Sequence, residues 1–420
     1  MKPSIETLPV ELVSHIVTLL DLGDIVSLRL TSHAIESKIS GQHLAKFFTH
    51  KHVELAPQPL KNMVHITGHG HLGCLLQHCH ITGVAGNDTR DDDEHMRLLA
   101  KAFSNLKQCS PKGRLASLCL SVTVRNHDNN SESDASSLRK NIWATALRTF
   151  DITIAALHAS QLPVDEHLDI FGGVLGCSLT FDAFLPLTQR FASMPVFSAL
   201  KKLTVSLSSP FTDPAESGPN SAIDAPPLAG QAVHGKLTLR GLLDMSSIMP
   251  KLESLDLHWY NIIGNDASTA PLNPPAKLGC SKFSCLKTCK LRGVYIFEDD
   301  LLDFVKAVHP TTLIMTDIRL MSGTYSSMFE YLALSDTPVT YYHLDDLRVR
   351  HALVHFDVPG KAKFPYRGNA TMGPSILTRQ QNEAKEAIRY TVAYRRPLGS
   401  GKRMCWLKGK INEFGPPLLL

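Results

Sequence analysis

Residues 252–257 read Leu-Glu-Ser-Leu-Asp-Leu, and this stretch indicates a strand in a fold built from repeated units. Leu255 and Leu257 are two positions apart, so both side chains point to the same face of a strand. Strands that turn such a face toward a shared core are typical of stacked strand-and-helix units. Related Leu-x-x-Leu-x-Leu sets recur along the chain: Leu115, Leu118 and Leu120; Leu200, Leu203 and Val205; Leu286, Cys289 and Leu291; Met315, Ile318 and Leu320; and, more weakly, Leu147, Phe150 and Ile152.

Amphipathic helices are predicted between these strands, for example at residues 92–109 and 300–309, where apolar residues recur at helical spacing. The strand sets are unevenly spaced, by 34 positions from Leu252 to Leu286 (286 − 252) and by 29 from Leu286 to Met315 (315 − 286). Regular leucine-rich repeats run about 20–29 residues and carry an Asn or Cys ladder, which is missing here. We therefore expect an α/β fold in which irregular leucine-rich-repeat-like units form a strand-helix solenoid. A general α/β fold with leucine-rich strands is the alternative.

The first fifty residues predict three short helices. Pro9 suits the first turn of a helix, because the N–H that proline lacks has no partner at that position. Leu12, Ile16 and either Leu19 or Leu20 recur at helical spacing and form one apolar stripe. Three short helices bury little apolar surface among themselves, so we expect this segment to pack against the rest of the chain or against a partner.

This segment resembles the F-box, a helical module that docks on the Skp-type adaptor of cullin-based ubiquitin ligases. The matching residues are Leu8, Pro9, Glu11, Leu12, Ile16, Leu20, Asp24, Leu28, Arg29, Leu30 and Ser32. A tryptophan that is common in the third helix of this family is missing, and the chain continues from Ser32 with His33. The resemblance implies that the adaptor is contacted by Leu8, Pro9, Leu12, Ile16, Leu20, Ile25, Leu28 and Leu30. An ordinary helical cap on a larger domain is the alternative.

Residues 286–332 are similar, more loosely, to the C-terminal repeats of F-box proteins of filamentous fungi. The resemblance therefore implies three parts: an F-box at residues 1–50, a divergent leucine-rich-repeat-like domain at residues 51–360, and a basic C-terminal extension at residues 361–420. Stretches rich in Pro, Ser, Gly and Ala predict flexible insertions near residues 208–231 and 265–275.

Composition argues against several classes of protein. Of the 420 residues, 43% are hydrophobic and 20% are charged, as in a globular protein, and the net charge of +4 is too small to indicate a nucleic-acid partner. Residues 366–420 are basic, with ten Lys or Arg and three Glu (10 − 3 = +7). No aromatic side chains are arranged there to stack on nucleic-acid bases, so we expect a solvated end. No apolar run has the length of a membrane span, and no signal-peptide core is present. The nine scattered cysteines therefore indicate free thiols in the cytoplasm or nucleus.

Residues 68–73 read Gly-His-Gly-His-Leu-Gly and match the pattern of a dinucleotide-binding turn after the strand-like residues 63–66. The segment from Cys74 to Cys79 is too short for the helix that such a site needs, and the loop histidines would crowd the phosphate path. An ordinary loop is the favoured interpretation. A zinc site in this region is also disfavoured, since no second Cys pair at finger-like spacing follows; the residues considered are His65, His69, His71, His78, His80, Cys74 and Cys79.

The sequence has no nucleophile elbow, no phosphate-binding loop and no paired His-Glu helix, so no catalytic, cofactor-binding or metal-ligating residue is predicted. The F-box resemblance implies a non-enzymatic substrate-recognition subunit of an SCF-type cullin-RING ubiquitin ligase. Such a subunit binds the Skp-type adaptor, and through it a cullin, and holds a client protein whose contact residues the sequence does not identify. The alternatives are a repeat scaffold without a ligase role and a NAD-binding oxidoreductase that uses the glycine loop at residues 68–73.

Overall fold

The computed structural model describes residues 5–39, 48–68, 73–86, 91–124, 135–209, 227–260, 283, 286–362, 372–393, 410 and 413–414. Residues 210–226 and 261–282 lie outside the described residues, and with them most of the first predicted insertion and all of the second.

The helices of the described residues are α1 (Val10–Thr18), α2 (Leu22–Arg29), α3 (His33–Ile39), α4 (Pro57–Gly68), α5 (Asp92–Cys109), α6 (Ala135–Ser160), α7 (Phe181–Phe184), α8 (Leu187–Arg190), α9 (Pro227–Asp244), α10 (Glu298–Val308) and α11 (Ser326–Ala333). Helix α5 begins where the sequence predicts, because the Asp91 side chain accepts a hydrogen bond from the Glu94 N–H at 3.0 Å and so caps the first turn. Its stripe of Leu99, Phe103 and Leu106 is buried. None of these helices combines the length and the apolar character that crossing a bilayer requires.

The strands of the described residues are β1 (His50–Glu54), β2 (His78–Ala85), β3 (Leu115–Val124), β4 (Val164–Ile170), β5 (Leu179–Thr180), β6 (Lys202–Ser208), β7 (Ser254–Tyr260), β8 (Thr288–Arg292), β9 (Tyr295–Ile296), β10 (Thr312–Thr316), β11 (Arg319–Leu320), β12 (Tyr341–Asp345), β13 (Arg348–Val349), β14 (Ala352–Phe356), β15 (Ile376–Gln380) and β16 (Tyr390–Ala393). Eleven of them form the main sheet, in the order β1-β2-β3-β4-β6-β7-β8-β10-β12-β15 with β5 beside β6. Its strands are parallel except for β15, which is antiparallel to β12. Neighbouring parallel strands need long crossover connections, and the helices supply most of them.

A smaller sheet has the order β16-β14-β13-β11-β9. Three times the chain passes from a main-sheet strand to a strand of this smaller sheet through a sharp corner. The corner residues Gly293, Asp317 and Asp346 all have left-handed backbones, with φ of 76°, 52° and 52°. Glycine adopts this conformation without cost and aspartate tolerates it, so the residue type at each corner fits the turn.

The core lies against one face of the main sheet. Strand register aligns two rows of buried apolar side chains across it, one containing Leu118, Leu168, Leu203, Leu255, Cys289, Leu313 and Tyr342, the other Ile81, Leu120, Ile170, Val205, Leu257, Leu291, Met315 and Leu344. The alternation seen first at Leu255 and Leu257 therefore does place both side chains on one buried face.

The predicted fold class is nevertheless wrong. We expected a short helical F-box followed by an irregular leucine-rich-repeat-like solenoid, whereas the described chain is an α/β structure around one large, mostly parallel, 11-stranded sheet. Strands β2 and β6 are buried on both faces along much of their length, whereas β8, β10 and β12 alternate between buried and partly exposed residues, so the burial pattern differs from strand to strand. The connections are also unequal, up to the 26 residues of α6, so the chain does not divide into equivalent units.

Two of the predicted strand motifs are misplaced as well. The set from Leu147 to Ile152 lies inside helix α6, because an apolar spacing of three also fits one face of a helix. The set from Met315 to Leu320 spans β10, the corner at Asp317 and β11, so its residues belong to two different sheets. The aligned pair on β10 is Leu313 and Met315.

The sheets also continue beyond residue 360, where we had placed the end of the main domain. Strand β15 pairs with β12 in the main sheet, and β16 pairs with β14 in the smaller sheet. The residues after 360 therefore complete both sheets, at least as far as Ala393.

Candidate docking surfaces

The first three helices have a small core of their own. Val13 and Val17 of α1, Ile25 of α2, and Ile35 and Ile39 of α3 are buried together in a cluster that is separate from the core of the main sheet. Polar contacts hold the same helices together. The Lys38 ammonium donates to the Leu8 carbonyl at 2.8 Å, and the Arg29 guanidinium lies 3.1 Å from the Glu36 carboxylate. The apolar inner faces of the three helices are therefore buried against one another, and they need no partner protein to cover them.

Their outer faces carry large apolar side chains. Leu12 is 52% exposed and Leu19 78% exposed, seven positions apart on one face of the first helix and its cap. Val26 and Leu30 repeat this on the second helix at a spacing of four, and Leu30 is 83% exposed. We call these four residues the N-terminal apolar surface. Four exposed large apolar side chains on so small a unit are typical of an interaction site.

The residues predicted to contact the adaptor divide into three groups. Pro9, Leu12 and Leu30 are exposed. A second group is partly buried, and three of its members pack against the small core; the group is Leu8, Ile16, Leu20 and Leu28. Ile25 is completely buried, so in this structure it holds the helices together and offers no side chain to a partner.

The predicted set left out Leu19 and Val26, which belong to the N-terminal apolar surface. Helical spacing offered Leu19 as an alternative to Leu20, and it could also have found Val26, which is four positions from Leu30. The family pattern instead indicates Leu20 and Leu28, whose side chains are partly buried and pack against the small core.

A second surface lies on the main sheet, opposite the leucine rows. We call it the polar sheet face. Register aligns seven side chains across seven neighbouring strands: His52, His80, Cys119, Asp169, Thr204, Asp256 and Lys290. The sequence carries a signal for it, since His50 and His52, like His78 and His80, are two positions apart and so share one face of a strand.

Imidazole rings stack in pairs at the β1 edge of this face. The ring centroids of His50 and His78 are 4.2 Å apart, and those of His52 and His80 are 4.5 Å apart. Burial lowers the pKa of His80, and the neighbouring His52 lowers that pKa further. The His80 Nε2 lies 2.7 Å from the Ser121 hydroxyl, which favours a neutral, hydrogen-bonded ring.

Among the described residues, no group of three or more His, Cys, Asp or Glu side chains has a geometry that could hold a metal ion. Cys79 points into the core, and burial raises the pKa of its thiol to about 12. His69 and His71 lie outside the described residues.

The surroundings of the glycine loop are the reverse of a dinucleotide-binding turn. Residues 63–66, which we expected to form a strand, lie in helix α4, and Gly68 is its last residue. Gly73 begins a short 3-10 turn, and the next element is strand β2. A dinucleotide turn needs a strand before it and a helix after it. Residues 69–72 lie outside the described residues.

Near the middle of the sheet the polar sheet face carries charged side chains, and next to them it contacts described C-terminal residues. The Arg292 guanidinium lies 3.0 Å from the Asp256 carboxylate, an ion pair on adjacent strands. Next to it, His258 is buried and its Nε2 donates to the Glu413 carbonyl at 2.7 Å. Described residues near the end of the chain therefore contact the sheet.

Comparison with known proteins does not assign the chain to a family: no protein-family model matches it, and no curated protein is a significant match.

Proposed function

We propose that the chain is the substrate-recognition subunit of an SCF-type ubiquitin ligase and docks on a Skp-type adaptor through the N-terminal apolar surface. The observation that supports this proposal is the exposure of Leu12, Leu19, Val26 and Leu30 on helices whose own core is already complete. Helices that carry such anchors at helical spacing typically bind in an apolar groove.

Burial of these four side chains supplies part of the free energy of docking. They are 46–83% exposed, and full burial of an exposed side chain of this size contributes about 1.5–3 kcal/mol, so together they contribute on the order of 4–8 kcal/mol before the cost of association is subtracted. Leu12 and Leu30, which were predicted from the family pattern and are exposed, are expected to be the principal anchors.

In this proposal the chain supplies no catalytic group. It holds a client protein on the α/β domain while the adaptor joins it to a cullin and a ubiquitin-charged enzyme. A client lysine held near the thioester has a raised effective concentration, and this proximity accelerates transfer. Such an assembly works in the cytoplasm or the nucleus.

Co-purification with the adaptor tests the proposal. The double substitution Leu12→Asp and Leu30→Asp places two charges on the N-terminal apolar surface without touching the small core, and we expect it to abolish adaptor binding. Leu175→Asp is the matched control, because Leu175 is 72% exposed on the sheet domain. If the wild-type chain never captures an adaptor, the ligase role is wrong and a scaffold role outside ubiquitin transfer replaces it.

A further inference from the structure

The C-terminal residues that the structure describes are held against the main sheet. Phe414 is only 1% exposed, although we expected the basic extension to be a solvated end. Lys410, Glu413 and Phe414 contact residues at the carboxyl ends of strands β7, β8 and β12. Ligands of open α/β sheets bind outside the carboxyl ends of the strands.

The first contact is an ion pair with a buried carboxylate. The Lys410 ammonium lies 3.2 Å from Oδ2 of Asp346, whose side chain is completely buried. The Ser375 hydroxyl donates to Oδ1 of the same carboxylate at 2.9 Å. A buried carboxylate is costly unless it is paired and hydrogen-bonded, so this position selects a cation.

The second contact is a hydrogen bond to the backbone of the C-terminal segment. The His258 Nε2 donates to the Glu413 carbonyl at 2.7 Å, and its Nδ1 lies 3.2 Å from the Ser206 hydroxyl. Because a carbonyl only accepts hydrogen bonds, Nε2 carries the proton. Burial lowers the pKa of His258 to about 4, which keeps the ring neutral near pH 7 and suited to this contact. A backbone carbonyl of any peptide could take the same place.

The third contact is a cleft for a ring. The Phe414 ring packs edge-on against His258 with centroids 5.5 Å apart, and a Cβ atom at Gly293 would clash with the Trp259 carbonyl oxygen and lie 2.8 Å from Phe414 Cδ1. Glycine at this corner therefore leaves room both for the neighbouring backbone and for the ring. Phe414 does not belong to the apolar core cluster, and the Lys410 ammonium lies 4.8 Å from its ring centroid. Polar and cationic neighbours of this kind are typical of a recognition site.

We propose that Lys410, Glu413 and Phe414 occupy, in cis, a peptide-binding groove formed by His258, Gly293 and Asp346, and that this groove takes a partner segment with a lysine followed four positions later by an aromatic residue. The tail then acts as an intramolecular competitor of the partner. That the partner is a ligase client rests on the proposed function. The groove itself does not depend on it.

Peptide binding to the purified full-length chain, without adaptor, tests the groove. The probe is a fluorescent peptide of residues 408–416. A tethered tail has a millimolar effective concentration, so for a free-peptide Kd of about 100 µM it weakens binding of the probe about tenfold. We therefore expect the variant Lys410→Ala with Phe414→Ala to bind the probe about tenfold more tightly than the wild type does.

Three controls test the geometry of binding. A probe with alanine in place of its lysine and phenylalanine should not bind the emptied groove. Adding Asp346→Asn to the double variant should remove the gain, because asparagine can still accept from Ser375 but carries no charge for the lysine. Lys251→Ala changes an exposed lysine that precedes the amino end of β7, away from the carboxyl ends of the strands, and it should leave probe binding unchanged. Equal binding by the wild type and the double variant would overturn the proposal.

A second experiment does not depend on how the variants fold. A protease site inserted at residues 399–401 allows the tail of the folded wild-type chain to be cut after folding. We expect the released fragment to dissociate on dilution and to rebind reversibly. A fragment that leaves only when the sheet unfolds would show that the tail is part of the core and that no groove exists. Either result is independent of adaptor binding.

Discussion

Among single residues, His258 gives a clear pH dependence of stability. Burial lowers its pKa to about 4, and the positive charge of Arg292 is the second cause. An unfolded histidine takes up its proton near pH 6.5, so between pH 6.5 and 4 the unfolded state binds more protons than the folded state. Stability is therefore complete above pH 6.5 and falls as the pH decreases toward 4, by about 3 kcal/mol for this group.

Urea unfolding of the wild type and of His258→Gln at pH 7.0, 5.5 and 4.5 measures this effect. Glutamine keeps an N–H donor for the Glu413 carbonyl but does not titrate. We expect the wild type to lose about 2.5 kcal/mol more than the variant over this range. His33→Gln is the control, because the His33 side chain is fully exposed. Parallel pH profiles of the wild type and His258→Gln would contradict the assignment.

Ile25 distinguishes two roles that a predicted adaptor residue can have, which are contact with a partner and burial in the small core of the helices. The family pattern could identify it as apolar and important, but could not tell whether it faces a partner or the interior. Because Ile25 is completely buried, we expect Ile25→Ala to destabilise helices α1 to α3 by about 2–5 kcal/mol. Hydrogen exchange should accelerate in these helices, whereas Leu12→Ala should leave exchange unchanged. Slow exchange in the Ile25 variant would show that the small core does not hold the helices.

Among the elements, those with both a cap and a long apolar stripe could be predicted from the sequence. Helix α5 has its predicted bounds because Asp91 caps it and its stripe repeats over five turns. The corner at Asp317 was missed, because a left-handed residue between two short strands leaves the apolar spacing unbroken while it changes the sheet. The leucine motif identifies strands and their buried face, but it does not encode how many strands share one sheet.

The leucine rows predict where a core substitution is most costly. Leu257 is completely buried on β7 between Val205 and Leu291 of the neighbouring strands. We expect Leu257→Ala to lower the free energy of unfolding by about 2–5 kcal/mol, through lost burial and the cavity that remains. Lys251→Ala, an exposed change shortly before the same strand, should stay within about 0.5 kcal/mol. Chemical unfolding followed by circular dichroism distinguishes the two, and equal effects would exclude this row as core.

At the scale of the whole molecule, the sequence could predict the chemistry of both surfaces but not their assembly. The N-terminal apolar surface was found in part, because helical spacing is local. The polar sheet face and the groove around His258 depend on strand register and on the tail, which bring together residues as far apart as His258 and Glu413. No spacing rule connects residues at that separation.

The two separate cores predict that the molecule unfolds in two parts. The cluster of Val13, Val17, Ile25, Ile35 and Ile39 contributes no side chain to the core of the main sheet, so the sheet should not need it. We expect a chain that begins at Thr49 to keep the cooperative thermal transition of the full chain. Thr49 is retained because its carbonyl accepts hydrogen bonds from Gln77 and His78. In the full chain, hydrogen exchange should be faster in α1 to α3 than in β3, β6 and β7, because few buried residues hold those helices. Loss of the transition in the shortened chain would mean that the helices support the sheet, and an outward-facing docking module would then be the wrong description of them.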